Sequence, residues 1–352
     1  MNKVLKVCYF GSYDPEYSRN RVLIKGLRQS GVEVIEIRDR TSSIFRYLKL
    51  FLKYLKMQKD FDIMIVGFPG QEMMFLARLL TRKLIIFDAF TSHYGGYILD
   101  RGYYSKHGLH AAYYRFMDTW SCRLADKVLL DTQAHIDFFM REFHLPPQKF
   151  ERLFVGTDTD IFHPRESLRV SDAFRVYFHG HYIPLQGVET IIRAAKLLEN
   201  EGVSFKLIGR GQTYQANQEL ARESGIKNIQ FVGNVPYPEL ADNMAEADVC
   251  LGIFGSTSKT SLVIPNKLFE AIAMKKPVIT ADTPAVRELL NDFSAVLVKT
   301  HDPEALADGI LKLKNDEALR ARIAEKGYEI FEGQASLHVL GKQLIGIMQS
   351  LL

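Results

Sequence analysis

The sequence is poor in the features that assign a chain to several common classes of protein. Its 352 residues include only three cysteines, Cys8, Cys122 and Cys250, too widely spaced to indicate a disulfide framework or a zinc knuckle. No apolar run is long enough to span a membrane, and the run Val4 to Phe10 is interrupted by Lys6. We therefore expect neither a transmembrane helix nor a cleavable signal, and these absences favour the reducing cytoplasm.

Charge of one sign is not in excess either. The chain has 45 basic and 41 acidic residues, a formal net charge of +4, which is too small to indicate a nucleic-acid partner. It shows no Ser/His/Asp arrangement, C-x-x-C pair, H-E-x-x-H helix or G-x-x-x-x-G-K-[ST] loop. The length and the 47% hydrophobic content instead predict a globular chain with two cores.

Two series of short apolar runs alternate with helical patterns, which is typical of doubly wound parallel sheets. A polar stretch, residues 156–164, separates the series, and the pattern is helical from Pro303 onward. We predict two Rossmann-like domains, residues 1–165 and 166–333, that face each other across a cleft. A C-terminal helix within 334–352 is expected to pack back on the first domain. The predicted strands of the first series are residues 3–10, 32–37, 63–67, 84–87, 127–131 and 153–155.

The stretch from Ser261 to Leu290 organises the second domain. Pro265 suits the start of a helix, and the positive Lys275 and Lys276 suit its end, which predicts a helix over about 265–275. Free amides in its first turn, Lys267 and then Glu270 could hold the phosphates and ribose of a nucleotide. An ordinary surface Lys/Glu pair would have the same spacing.

The string PNKLFEAIAMKKPVITADTPAVRELL, residues 265–290, resembles the nucleotide-sugar motif of the GT-B glycosyltransferases of family 4, the group 1 glycosyltransferases. In that family a carboxylate eight residues before the helical Glu completes an E-x7-E pair. Glu270 matches the nucleotide-side Glu, but Leu262 stands where the sugar-side Glu is expected. The strings GHYIPLQGVETIIRAAKLL, FKLIGRG and IQFVGNVPYPELADNMAEADVCLGIF also follow the family order, and VGTDTDIFHP resembles its interdomain crossing.

The resemblance implies a GT-B fold and a hexosyltransferase-like enzyme that is retaining and metal-independent. Such an enzyme moves a sugar from a UDP- or GDP-linked donor to a hydroxyl of a saccharide or lipid-linked acceptor, in cell-envelope glycan or glycolipid synthesis. The nucleotide sugar is then a substrate, and no cofactor is expected. The first domain would bind the acceptor and the second the donor.

The family's Arg and Lys that neutralise the diphosphate are replaced by His181 and Gln186. Either Lys267, Arg210 and the helix amides neutralise the diphosphate instead, or the chain is a homologue with weakened or lost turnover. In the first case a lysine at position 186 should be tolerated. Tight nucleotide binding without transfer would indicate the second case, and a sugar-nucleotide epimerase on the same two-domain plan is a further alternative.

Within DAFTSHYGGYILD, residues 88–100, the resemblance implies that His93 contacts the donor sugar, although a lone histidine is often structural. Gly11, Ser18 and Arg19 resemble the region that meets acceptor and diphosphate. The predicted catalytic residues are His93, Lys267 and Glu270, and the predicted donor-binding residues are Gly11, Arg19, Gly180, His181, Gln186, Gly209, Arg210, Lys267 and Glu270.

Asp158 and Asp160 form a D-x-D, the pattern that holds a metal ion in GT-A enzymes. Its position in the linker argues against that role, and we predict no metal site. 

The segment from Ser43 to Lys59 predicts a basic amphipathic helix without an acidic residue. Its four basic side chains fall on one stripe, while large apolar side chains cover much of the remaining surface. A core helix with a solvated basic edge gives a similar pattern. We predict instead that this helix binds an anionic membrane, so that the protein is peripheral on the cytoplasmic face.

Overall fold

The computed structural model describes residues 4–57, 60–166 and 173–352. The chain divides into two compact units, one formed by Met1–Thr157 with Ala335–Leu352 and the other by Asp158–Gln334. In the described part of the chain, no helix combines the length and the apolar character needed to cross a membrane.

The first unit is built on a six-stranded parallel sheet in the order β2-β1-β3-β4-β5-β6. The strands are largely buried, as expected for a parallel sheet with helices on both faces. The strands are β1 (Lys6–Gly11), β2 (Glu33–Arg38), β3 (Ile63–Val66), β4 (Ile85–Phe90), β5 (Lys127–Leu130) and β6 (Phe150–Arg152). The helices are α1 (Ser18–Gln29), α2 (Phe45–Lys56), α3 (Met73–Leu80), α4 (Leu109–Leu124) and α5 (Gln133–Phe143), with a π-helix at Tyr94–Asp100 and a 3₁₀ turn at Pro147–Lys149.

The second unit contains another six-stranded parallel sheet, in the order β12-β11-β10-β7-β8-β9. The strands are β7 (Phe174–His179), β8 (Val203–Ile208), β9 (Ile229–Val232), β10 (Val249–Leu251), β11 (Val278–Ala281) and β12 (Val296–Val298). The helices are α6 (Val188–Leu197), α7 (Tyr214–Glu223), α8 (Tyr237–Ala245), α9 (Asn266–Ala273), α10 (Pro284–Arg287), α11 (Pro303–Asn315) and α12 (Glu317–Gln334), with 3₁₀ turns at Pro184–Gln186 and Ser258–Ser261.

The last helix, α13 (Leu337–Gln349), belongs to the first unit and packs on α1. Two glycines allow this close contact. A Cβ atom on Gly26 would lie 2.9 Å from the carbonyl oxygen of Leu337, and one on Gly341 would lie 2.4 Å from the carbonyl oxygen of Gly26. The two helix backbones therefore meet without intervening side chains.

One predicted strand is wrong. Residues 153–155 are buried but form no strand, and β6 instead ends at Arg152. The physical reason is that the carbonyl groups of Leu153 and Phe154 accept hydrogen bonds from Arg19 rather than from a neighbouring strand. Two ends of predicted elements, at Lys3 and at Gln58 with Lys59, lie outside the described residues.

In each sheet the order of the strands reverses beside the first strand of the unit, which is a topological switch point. β1 lies between β2 and β3, and β7 lies between β8 and β10. Such a switch point leaves a crevice at the carboxyl ends of the two flanking strands, where ligands of doubly wound folds bind. A ligand site is therefore expected at the loops after β1, β3, β7 and β10.

Candidate functional site

In the second unit, glycines bring the loops after β7 and β8 into contact. Gly180 follows β7 with φ 153°, and Gly209 follows β8 with φ 129°, both in a region that favours glycine. A Cβ atom on Gly209 would lie 2.0 Å from the carbonyl oxygen of Gly180. The backbone at this switch point is therefore bare, so that a ligand can approach it closely.

Glu270 is held at the same place by hydrogen bonds from two other elements. Pro265 is the N-cap of α9, and Glu270 lies one turn inside the helix, 2% exposed. One carboxylate oxygen lies 2.8 Å from Nε2 of His179, the last residue of β7, and the other accepts a hydrogen bond of 3.0 Å from the hydroxyl of Tyr237 on α8. Two hydrogen-bond partners, and not a lysine or arginine side chain, therefore fix the orientation of this carboxylate.

Lys267, in the first turn of α9, directs its ammonium group toward the loop after β7. Nζ donates a hydrogen bond to Oε1 of Gln186 and lies 3.6 Å from the centroid of the Phe178 ring. A Cβ atom on Gly180 would lie 2.8 Å from Nζ. Burial lowers the pKa of Lys267 well below the usual lysine value, and the negative charge of Glu270 opposes part of that shift.

The interpretation of Lys267 and Glu270 as an ordinary surface pair is wrong, because the two side chains are 6% and 2% exposed. Among the described residues no carboxylate forms an ion pair with the Lys267 ammonium group. A buried cation whose polar partner is a neutral amide is poorly compensated. The surroundings of the Lys267 ammonium group are therefore electrostatically suited to an anion.

Two further predicted residues of the second unit, His181 and Arg210, lie in the loops after β7 and β8. His181 and Arg210 are exposed, and the guanidinium group of Arg210 stacks over the Tyr214 ring at 5.0 Å. Leu262, at the position of the missing Glu, packs against a small apolar cluster. The structure thus brings together Gly180, Gln186, Gly209, Lys267 and Glu270. In the part of the chain that the structure describes, no contact joins Arg210 or His181 to the Lys267 ammonium group.

In the first unit, Gly11 ends β1 and Ser18 begins α1. Both therefore lie at the carboxyl edge of the first sheet, beside its switch point. This placement is compatible with the predicted role in substrate binding, which stays a prediction.

Arg19 has a different role from the one predicted from the sequence. Its side chain is fully buried, and Nε and Nη2 donate to the Asp88 carboxylate at 2.8–3.1 Å. Nη1 donates to the carbonyl oxygens of Leu153 and Phe154 at 2.8 and 2.7 Å. These internal partners engage the N–H of Nε, both N–H groups of Nη1 and one of the two on Nη2, so that the buried guanidinium group ties α1 to β4 and to the chain that follows β6.

His93 lies just before the π-helix, a kind of helix that is frequent at functional sites. Its loop is held by Asp118, a buried residue of α4 whose carboxylate accepts from the Ser92 hydroxyl and from the backbone N–H groups of His93 and Tyr94 at 2.7–3.1 Å. Burial raises the pKa of Asp118. The imidazole itself is partly exposed, and its contact with a donor sugar stays a prediction.

The D-x-D residues occupy a turn at the start of the second unit, where Asp158 is nearly buried and accepts a hydrogen bond of 3.1 Å from the N–H of Asp160. In residues 4–57, 60–166 and 173–352, no three His, Cys, Asp or Glu side chains cluster closely enough to hold a metal ion.

Three residues of these sites were missed from the sequence. His179 could have been found, because a polar residue at the carboxyl end of a buried strand next to a glycine is a signal of a site. Tyr237 and Asp118 carry no such signal, because each lies on a helix that is distant in sequence from its partners. Tyr237 is 33 residues from Glu270, and Asp118 is 24 to 26 residues from the loop that it holds.

Residues 160–330 match the family model of the group 1 glycosyl transferases. The chain is 28% identical over 160 residues to an uncharacterized glycosyltransferase of Methanocaldococcus jannaschii, over 43% of this chain and 41% of that protein. It is 24% identical over 249 residues to the alpha-D-kanosaminyltransferase of Streptomyces kanamyceticus, over 67% of this chain and 64% of that enzyme. The matched part thus spans less than two thirds of either relative.

The fold is similar to that of Anabaena HepE in a crystal structure with UDP and glucose. The TM-score is 0.74 at 16% identity, and the match covers 98% of this chain and 100% of that one. This similarity confirms the predicted GT-B fold with two Rossmann-like units. The family model and the relatives support the group 1 glycosyltransferase family.

Proposed function

We propose that this chain, with its similarity to the group 1 glycosyltransferases, binds a nucleotide-sugar donor through Lys267 and Glu270 and transfers the sugar to a hydroxyl acceptor. The observation that carries the proposal is the buried ammonium group of Lys267, which lies against Gly180 at the switch point of the second sheet. A diphosphate placed there would gain a cation, bare backbone and the amide groups of the first turn of α9.

Glu270 is suited to the ribose of the same nucleotide. Each oxygen of its carboxylate has one protein partner, His179 or Tyr237, and an ionised carboxylate oxygen can accept a second hydrogen bond. Ribose hydroxyls supply donors of this kind. UDP is the first nucleotide to test, because the structurally similar Anabaena protein was crystallised with it.

The chemistry we propose is retaining transfer of a hexosyl group without a metal ion or a cofactor. A phosphate oxygen of the donor takes the proton of the acceptor hydroxyl, and the diphosphate leaves as the new glycosidic bond forms. The protein then needs no nucleophile of its own. It stabilises the charge that develops on the diphosphate through Lys267 and holds the two substrates in register.

A second candidate is a protein that binds nucleotide sugar without turnover. It is favoured by Leu262, which packs with Leu185, Ile253 and Val263 where the family has a carboxylate for the sugar. A site with an apolar side chain at this position can keep the nucleotide contacts of Glu270 and lose those to the sugar.

Nucleotide binding to a Glu270→Ala variant tests the assignment. The variant loses hydrogen bonds to a charged acceptor, and we expect the binding free energy of UDP to fall by about 1.5–3 kcal/mol in isothermal titration. Glu288→Ala is a matched control on the same unit. Equal affinity in the wild type and a folded Glu270→Ala variant would show that the ribose is bound elsewhere.

Product analysis separates the two candidates. Incubation with UDP- or GDP-sugars and a mixed panel of saccharide and lipid-linked acceptors should give a glycosylated product whose anomeric configuration matches the donor. Activity should persist in excess EDTA. Tight nucleotide binding with no transfer and no donor hydrolysis would favour the non-catalytic candidate, and loss of transfer in EDTA that manganese restores would contradict metal independence.

A further inference from the structure

Helix α2 has three distinct faces. At about 100° per residue, Leu50 and Tyr54 lie on the arc that is buried against the first unit. The basic side chains lie on a second arc, and the third arc, about 120° wide, carries large apolar side chains that are 37–78% exposed. The residues of this third arc are Ile44, Phe45, Leu48, Phe51, Leu52 and Leu55. The alternative of a core helix with a solvated basic edge is therefore wrong, because most of its apolar surface is not in the core.

The exposed apolar surface continues on the two helices that follow. Phe75 and Leu79 on α3 are 37% and 82% exposed. On α4 four side chains at the spacing i, i+4, i+7 and i+11 form one stripe and are 40–88% exposed. They are Leu109, Tyr113, Phe116 and Trp120. We call the exposed apolar residues of α2, α3 and α4 the apolar face.

The three helices form one surface rather than three separate ones. The rings of Phe75 and Phe116 stack with centroids 6.2 Å apart, which joins α3 to α4. Glu72, the N-cap of α3, accepts hydrogen bonds from Arg46 and Tyr47 on α2 and from Tyr113 on α4. The apolar face is thus held in place by contacts at its edge.

The charges on these helices are almost all positive. Within α2, α3 and α4 the acidic residue is Asp118, which is buried and holds the loop before the π-helix. The exposed cations include Lys49, Lys56 and the Asp39-paired Lys53 on α2. Arg123 on α4 is exposed as well, and its guanidinium group lies over the Trp120 ring at 5.2 Å. An apolar face with a basic border and aromatic rings is complementary to an anionic lipid surface.

We propose that the apolar face binds the surface of an anionic membrane, with Phe75, Phe116 and Trp120 at headgroup depth beside the residues of α2. Two other occupants fit less well. The interface of a protein partner is depleted in lysine, and a second copy of this chain would bring one basic border against another. Membrane binding by the apolar face does not depend on the proposed transferase activity. The further idea that the face brings the enzyme to a lipid-linked acceptor does rest on that activity.

Trp120 gives a direct measurement, because it is the single tryptophan of the chain and lies on the apolar face. Vesicles of phosphatidylglycerol and phosphatidylcholine at low salt should shift its emission to shorter wavelength, and brominated lipid should quench it. Vesicles of phosphatidylcholine alone should have a much smaller effect. A Trp120→Phe/Phe293→Trp variant moves the probe to an exposed position on the second unit and should lose both signals while still sedimenting with the vesicles.

The charge contribution is measured by sedimentation. A variant with Lys49, Lys53 and Lys56 exchanged for Gln should partition about 100-fold more weakly into anionic vesicles, since each lysine near such a surface contributes about fivefold. A control with the same change in net charge replaces three paired surface lysines of the second unit, Lys196, Lys299 and Lys326, by Gln and should bind as the wild type does.

The proposal is overturned if the wild type fails to bind anionic vesicles at low salt, or if both triple variants weaken binding equally. It is also overturned if Trp120 emission shifts with protein concentration in the absence of lipid as the chain dimerises. If the protein transfers sugar to a soluble acceptor but does not bind vesicles, the proposed function stands and only the proposed membrane binding is refuted.

Discussion

Each unit buries a cation, and the two units compensate its charge in different ways. Arg19, near the start of α1, is paired with Asp88 on β4 and with two backbone carbonyl groups that follow β6. Lys267 lies beside the first strand of the second sheet, with one amide oxygen and an aromatic face as its partners. The fold is the same, but one cation is satisfied by the protein and the other is not.

This difference separates a structural charge from one that is available to a ligand. A buried charge with a full set of partners stabilises the local structure only while all the partners are present. A buried charge with few partners costs folding free energy, which an anionic ligand can recover when it binds. This comparison is the reason that we propose ligand binding for Lys267 and structural support for Arg19.

The largest expected effect is on stability. Arg19→Ala leaves Asp88 buried without its cation, and we expect the free energy of unfolding of the first unit to fall by about 3–5 kcal/mol. Urea denaturation followed by Trp120 fluorescence reports on that unit. Lys267→Met, which removes a poorly compensated charge, should cost little or increase the stability of the second unit, as followed by circular dichroism. Equal losses in the two variants would contradict the comparison.

A charge exchange tests whether the position of the cation matters. The sequence alone predicts that Gln186→Lys is tolerated, but Nζ of Lys267 contacts Gln186, so two ammonium groups would repel each other there. We expect Gln186→Lys to lower stability, and Lys267→Gln to weaken UDP binding by about 1.5–3 kcal/mol. The double variant Gln186→Lys/Lys267→Gln keeps one cation between α9 and the loop after β7 and should bind within about tenfold of the wild type. Failure of this rescue would mean that the ammonium group must come from α9.

The smallest effect is a dependence on pH. Because the pKa of Lys267 is lowered in the native state, that state binds fewer protons than the unfolded chain between the two pKa values, and stability rises with pH across that window. A diphosphate favours the charged lysine, so UDP affinity should fall with rising pH, by at most about tenfold per unit, above the native pKa. Titration in buffers of different ionisation enthalpy detects the proton uptake. Lys267→Arg keeps its charge and should abolish this pH dependence.

Much of the fold follows from local pattern. The alternation of apolar runs with helical periods predicts both sheets, and Pro265 and Pro303 mark helix starts that the structure retains within a residue. The position of β6 does not follow, because the carbonyl groups of residues 153 and 154 are claimed by Arg19, which is more than a hundred residues away in sequence.

The candidate site is only partly legible in the sequence. Spacing places Lys267 and Glu270 on one side of α9, but their burial depends on His179, Gln186 and Tyr237, which approach from other elements of the unit. The periodicity of α2 likewise predicts its apolar and basic arcs, but it does not predict which part of the helix surface packs against the first unit. Such facts depend on contacts that are distant in sequence, and periodicity does not encode them.

The most direct test of the account compares UDP binding to two lysine variants of the same segment by isothermal titration. Lys267→Met removes the ammonium group at the first turn of α9. Lys276→Met removes an ammonium group that lies beyond the last turn of α9 and donates to the carbonyl groups of Ala245 and Ala247. The account predicts that Lys267→Met weakens UDP binding by about 1.5–3 kcal/mol while Lys276→Met binds as tightly as the wild type. Undiminished binding by a folded Lys267→Met variant, or a wild type that binds none of UDP, GDP and ADP, would contradict it.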